Sequence, residues 1–158
     1  MNPLGEILSL DDVRLDLDVS NKPQLLAQIA ALLAARHGLS KTVILESLVA
    51  REQMGSTGMG HGVAIPHARM SQCAGAAGVF VRTKFAIPFD APDGKPASVF
   101  LGLIVPNQAN ERHLRLLATA AAMFDDRVFR DKLMTVGSPE TVSELLEAWP
   151  DAPAPLPE

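Results

Sequence analysis

Apolar positions recur at helical spacing in the first third and the last third of the chain, and at strand spacing between them. Leu25, Leu26, Ile29, Leu32 and Leu33 predict an amphipathic helix over about residues 22–36. Ser20 or Asn21 suits its cap, Pro23 its first turn and Gly38 its end. Ile44, Leu45, Leu48 and Val49 predict a second helix, running from Ser40 to about Glu52, with Arg51 in its last turn. Val63-Ala64-Ile65 predicts a short buried strand, stopped by Pro66 directly before His67. Gly78 to Thr83 is β-branched and aromatic enough for a strand. Phe85 to Phe89 predicts an edge strand, because Pro88 cannot donate to a central ladder. Pro92-Asp93-Gly94 is a turn signal. Ser98 to Val105 is apolar on both faces, which predicts a central strand covered by helices on either side and closed by Pro106.

The remainder predicts helices. Asn110 caps one through Leu114, Leu117, Ala118, Ala121 and Phe124, and a shorter one carries Val128, Phe129 and Leu133. Ser138-Pro139-Glu140 opens a last helix that ends near Trp149. Residues 1–149 therefore predict a single α/β domain, and the proline-rich residues 150–158 a disordered tail.

Composition narrows the function classes. The chain has 158 residues, 47% of them hydrophobic and 20% charged, enough for one domain with a proper core. A net charge of −4 offers no basic stripe for nucleic acid. The single cysteine, Cys73, excludes an internal disulfide and a cysteine-rich metal site, and reads as a small filler. No basic-then-apolar leader and no membrane-length apolar run is visible, so a soluble cytoplasmic protein without membrane insertion is expected.

The candidate chemistry lies in Gly55-Ser56-Thr57-Gly58-Met59-Gly60-His61-Gly62-Val63-Ala64-Ile65-Pro66-His67. Four glycines in eight residues let bare backbone N–H groups approach an anion. An imidazole held rigidly beside them can gain or lose charge near neutral pH and can attack a phosphoryl group. His113 falls in the first turn of the helix capped by Asn110, where free N–H groups favour a neutral imidazole and attract anions. As both histidines follow strands, they are expected to converge on one cleft. Arg51 leads into the glycine loop and offers planar donors suited to phosphate, although capping its own helix is the simpler role. Ser56 and Thr57 bring hydroxyls to the same loop. His61 with His67 lacks a further ligand, so no metal is expected, and the loop lacks the Gly-Lys-Ser/Thr ending of a nucleotide-binding loop. His37 reads as a solvated helix-end residue.

Arg51-Glu52-Gln53-Met54-Gly55-Ser56-Thr57-Gly58, with Gly60, Gly62 and Ala64-Ile65-Pro66-His67, resembles the active-site segment of the mannitol/fructose-type EIIA proteins of the bacterial phosphoenolpyruvate-dependent phosphotransferase system. The nitrogen-regulatory branch, EIIA-Ntr, is the nearest match. The resemblance extends to Phe89-Asp90-Ala91, Leu103-Ile104-Val105-Pro106 and His113-Leu114 with Leu117, and so to nearly the whole chain. It implies a mixed β-sheet flanked by helices on both faces. It implies that His67 accepts the phosphoryl group through Nε2, that His113 hydrogen-bonds the phosphohistidine, and that Arg51 balances the incoming charge. Ser56 and Thr57 match loop positions near the phosphate. No cofactor or metal is implied. The implied partners are an HPr/NPr-like phosphocarrier protein and regulated targets such as a potassium transporter or a sensor kinase. Two other readings stand beside this one. The first is a sugar-specific EIIA passing phosphate to an EIIB; the second is a docking module never phosphorylated. Two positions depart from the family pattern: His61, where asparagine is common, and Ala68, where glycine is common. Met54, Met59 and Met70 are candidates for an adaptable docking rim.

Overall fold

The computed structural model describes residues 2–108 and 110–150. The proline-rich tail expected at 150–158 lies, from Asp151 onward, outside the described residues. The elements in chain order are α1 (Pro3–Ile7), β1 (Val13–Leu17), α2 (Lys22–His37), α3 (Lys41–Met54), β2 (Gly58–Gly60), β3 (Val63–Ala64), β4 (His67–Met70), β5 (Ala77–Ile87), β6 (Ala97–Pro106), α4 (Glu111–Asp125), α5 (Arg127–Thr135) and α6 (Pro139–Ala148). A 3-10 turn, Leu10–Asp12, joins α1 to β1.

Local chemistry sets the helix ends. The Asn21 side chain accepts the Gln24 N–H at 2.9 Å, so Asn21 rather than Ser20 caps α2. Gly38 closes it at φ 65°, a conformation that glycine adopts without cost. Ser40, Asn110, Asp126 and Ser138 cap α3, α4, α5 and α6 in the same way. α1, too short to show a helical period, is marked only by its Asn-Pro start, a cap followed by a first-position proline. The wholly buried Asn2 side chain also donates to the carbonyls of Leu146 and Trp149, each at 2.7 Å, and ties the start of the domain to α6.

The sheet is mixed. Its strand order is β1-β5-β6-β3-β2, with β4 also paired to β6. β1 runs parallel to β5, β5 antiparallel to β6, and both β3 and β4 parallel to β6. The central strand β6 is buried along its length, as its apolar run requires. Phe100 and Ile104 face one core with α2 and α3, while Val99, Leu101, Leu103 and Val105 face the other with α1, α4, α5 and α6. A Cβ on Gly102 would lie 2.6 Å from Ile29 Cγ2, so the small residue lets α2 pack closely on β6. The single α/β domain with helices on both faces of a mixed sheet is thus the observed architecture.

Two expectations are corrected and a third is refined. The strand at 78–83 and the edge strand at 85–89 are one continuous β5 ending at Ile87, before Pro88. On α4 the buried stripe is Leu116, Ala120, Met123 and Phe124, whereas Leu114 and Ala118 face solvent. Apolar residues occupy nearly every position from Leu116 to Phe124, so spacing alone left the face ambiguous. The chain breaks between β3 and β4 at Ile65-Pro66, as expected, but the pairing resumes at once. Val63 pairs with Val99 and His67 with Leu103, so β3 and β4 hold the same register on β6 across Ile65-Pro66. The Pro66 carbonyl still accepts the Leu103 N–H at 2.9 Å; only the missing proline donor interrupts the ladder.

Candidate active site

The glycine run folds as a hairpin rather than an open loop. β2 pairs antiparallel with β3 around His61-Gly62, whose φ values of 57° and 82° are both positive, as mirror-image two-residue turns require. The exposed His61 is a turn residue: its N–H donates to Asp93 Oδ2 at 2.8 Å. That position explains why asparagine, which tolerates the left-handed region better, suits it. The wall this hairpin forms with Gly55-Ser56-Thr57 stands against His67.

His67 opens β4 and is half-buried. Its Nδ1 lies 2.8 Å from the Ile65 carbonyl oxygen. A carbonyl only accepts, so Nδ1 carries the proton in the neutral ring and Nε2 keeps its lone pair. Burial pushes the His67 pKa below the usual 6.5; the Ile65 carbonyl opposes this, the nearby Arg51 and Arg69 charges add to it, and Glu52 opposes it. The neutral ring is thereby favoured, with an unshared lone pair on Nε2.

Two cavities meet at this residue, of about 530 and about 280 Å³, and His67, Arg51 and Leu117 line both. Arg69 and Met54 line the larger; Ser56, Thr57, Gly58 and Met59 line the smaller. One guanidinium N–H of Arg51 caps α3 through the Gly55 carbonyl at 2.7 Å, and the side chain also borders both cavities. Arg69, two residues beyond His67 on the same strand, was missed, though period-two spacing from His67 was the available signal.

Ser56 and Thr57 are beside His67, but their hydroxyl protons are already used. Ser56 Oγ donates to the Phe89 carbonyl at 2.7 Å and accepts the Gly58 N–H at 3.0 Å, and the Thr57 hydroxyl donates to Glu52. A hydroxyl has one hydrogen to give, and both give it here to the protein and staple the loop. Glu52 was also overlooked. An acid in the last turn of a helix is disfavoured by the helix dipole, and that misplacement was the signal.

His113 sits in the first turn of α4, one turn before Leu117. It lines a separate cavity of about 200 Å³ with Pro3, Ile7, Arg112 and Leu116, and neither cavity at His67 includes it. Leu117, one turn further along α4, lines both of His67's cavities, and Ala121 lines the smaller. His113 Nδ1 accepts the Asn110 N–H at 3.2 Å, which puts the proton of its neutral ring on Nε2 as a donor. Of the three methionines, Met54 is 84% exposed and Met59 half-buried at the cavities, while Met70 is core. Cys73 is buried, and His37 is exposed at the end of α2. Among the described residues no group of three His, Cys, Asp or Glu side chains can hold a metal ion.

The family described as "Phosphoenolpyruvate-dependent sugar phosphotransferase system, EIIA 2" matches residues 6–149. The chain belongs to this EIIA family. It is an EIIA component of phosphotransferase type, and its relatives include nitrogen-regulatory members. It is 37% identical to the nitrogen regulatory protein of Pseudomonas aeruginosa over 144 residues, covering 90% of this chain and 94% of that protein. It is 32% identical to the nitrogen regulatory protein of Escherichia coli over 152 residues, covering 94% and 93%. The crystal structure of IIA-Ntr from Neisseria meningitidis superposes with a TM-score of 0.87 at 44% identity, over 90% of this chain and 98% of that one. IIA mannitol from Escherichia coli, at 18% identity, shares the fold with a TM-score of 0.74 over 88% and 98%. No helix among the described residues of this EIIA chain is long and apolar enough to cross a membrane.

Proposed function

We propose that the chain is a cytoplasmic phosphohistidine carrier that takes its phosphoryl group on Nε2 of His67 from an HPr/NPr-like phosphocarrier protein. The observation that carries this reading is the Nδ1–H···O=C bond to Ile65, which leaves the Nε2 lone pair available at a cavity edged by Arg51. The Nε2 lone pair attacks phosphorus in line, the donor's P–N bond breaks, and its electron pair remains on the donor nitrogen. Nδ1 keeps its proton, so the phosphorylated ring is cationic and the Ile65 carbonyl stabilises that charge. A cationic ring is a good leaving group, and the phosphoryl group stays transferable. Arg51 and Arg69 face the charge spread over the phosphoryl oxygens. We assign His113 the donation of its Nε2–H to the phosphorylated ring's phosphoryl oxygens, a role supported by its tautomer and by its place one turn from Leu117.

The regulatory reading, in which the phosphorylation state is signalled to targets such as a potassium transporter or a sensor kinase, is favoured by near full-length similarity to proteins named for nitrogen regulation. Transfer onward to a sugar-system EIIB is the second reading; similarity to the "PTS system fructose-specific EIIA component" of Haloferax volcanii, 34% identical over 102 residues that cover 65% of this chain and 66% of that protein, supports it. Intact mass after incubation with phosphoenolpyruvate, Enzyme I and an HPr-type carrier tests the carrier reading. An acid-labile phosphoryl adduct on wild type and none on His67→Ala is expected. Absence of the adduct with several active carriers leaves the docking module.

A further inference from the structure

We propose that Glu52 is a positioning residue for the phosphoacceptor, setting the direction and tautomer of the His67 imidazole through the backbone of Thr57 and Ile65. This rests on His67 being the acceptor. The path is continuous. The Glu52 carboxylate, only 5% exposed, accepts the Thr57 N–H at 3.0 Å and the Thr57 hydroxyl through Oε1. The Thr57 carbonyl accepts the Ile65 N–H at 3.1 Å. The Ile65 carbonyl accepts His67 Nδ1–H at 2.8 Å.

Thr57 and Ile65 are each held at both N–H and C=O, so the two soft dihedrals of each are fixed from both ends. Between Ile65 and His67 stands only Pro66, whose ring locks its φ. Thr57 and Ile65 are both buried, where hydrogen bonds in series strengthen one another. The start of the path is anchored too. Lys22 Nζ pairs with Glu52 Oε2 at 2.9 Å and with Asp90 at 3.0 Å, and lies 4.4 Å from the centre of the Phe89 ring. Glu52 thus links α2, α3 and the glycine hairpin to the one bond that orients the nucleophile, without itself lining either cavity at His67.

Two substitutions separate positioning from charge. Glu52→Gln keeps the length and an oxygen acceptor for the Thr57 N–H but loses the charge. Glu52→Asp keeps the charge and loses one methylene of reach. Rapid-quench transfer from a phosphorylated HPr-type carrier is measured together with ¹⁵N chemical shifts of the His67 ring and amide exchange at Thr57 and Ile65. Positioning predicts that Glu52→Asp slows transfer at saturating carrier by roughly ten- to a hundredfold while the half-saturating concentration stays unchanged. It also predicts mixed His67 tautomers and faster exchange at both amides in Glu52→Asp, with Glu52→Gln, which loses the Lys22 ion pair but keeps an acceptor for the Thr57 amide, affected less in every readout. Wild-type behaviour of Glu52→Asp, or a loss in Glu52→Gln that Glu52→Asp does not share, overturns the proposal. Should wild type take no phosphate, the acceptor reading fails, and the ring shifts and amide exchange still decide whether Glu52 governs His67. Should Glu52→Asp not fold, amide exchange in the wild type tests the path itself, and Thr57 or Ile65 amides that exchange as fast as an exposed amide overturn the proposal.

Discussion

The imidazole Nδ1 of His67 hydrogen-bonds the carbonyl of Ile65, two residues earlier in the chain, at 2.8 Å. Pro66 between them fixes one backbone dihedral of the short ring that this contact closes, and the bond sets the tautomer before any partner arrives.

The first consequence concerns pH. Burial lowers the His67 pKa below its ordinary 6.5, so the folded ring stays neutral when an unfolded chain begins to protonate near that value. Below about pH 6.5 the unfolded state binds more protons at this group, so its contribution to stability falls as pH falls, until the folded ring titrates as well. Phosphoryl acceptance is expected to be level from pH 8 to 6.5 and to decline only below, measured with a donor whose own titration is recorded separately. Denaturant unfolding of His67→Gln should show a shallower stability loss between pH 6.5 and 5 than wild type.

Arg51 serves both the helix end and the cavity, so its replacement is expected to act on rate more than on fold. Arg51→Gln should slow transfer roughly a hundredfold, the order found on removing one donor to a developing negative charge. Arg51→Lys, a point charge without the planar fork, should recover part of that loss. Stopped transfer reactions with isotopically labelled phosphoenolpyruvate give both values.

Ser56 is expected to separate stability from chemistry. Ser56→Ala loses the bonds to Phe89 and Gly58 and should cost about 1–3 kcal/mol in urea unfolding. Because its proton is already given to Phe89, the folded variant should still take a phosphoryl group to completion. A folded variant blocked in phosphorylation would return Ser56 to the phosphate site.

Gly102 tests the packing that holds the sheet under the site. Gly102→Ala drives a methyl to within 2.6 Å of Ile29 Cγ2 and should cost about 1–3 kcal/mol. Combining it with Ile29→Ala, which makes room, should cost less than the sum of the two single changes.

His61→Asn places a residue more tolerant of positive φ in the hairpin turn and keeps the backbone bond to Asp93. Thermal unfolding should be unchanged or shifted upward, and phosphorylation unaffected.

Much of this architecture is legible in residue patterns because local signals agree. Asn21, Ser40, Asn110 and Ser138 mark helix starts by side-chain chemistry alone, and the two-faced apolar run of β6 states that it is central. What escaped the pattern is tertiary. Whether Pro66 ends a strand or merely interrupts it depends on the neighbour, and here β6 keeps both halves in register. The fate of the Ser56 hydroxyl depends on a carbonyl 33 residues away. Spacing placed His67 and Arg51 together correctly, since the loop between them is short and closed on itself. It brought His113 toward the same cleft by analogy between strand ends; His113 lines a cavity of its own, while Leu117, one turn along α4, lines both cavities at His67.

The most direct test of the central claim is ¹⁵N-edited NMR of ring-labelled protein phosphorylated through the carrier system. The phosphoryl group is predicted on Nε2 of His67, with Nδ1 still protonated and bonded to Ile65. A phosphoryl group on Nδ1 of His67, or on His113 or His61, would contradict the account.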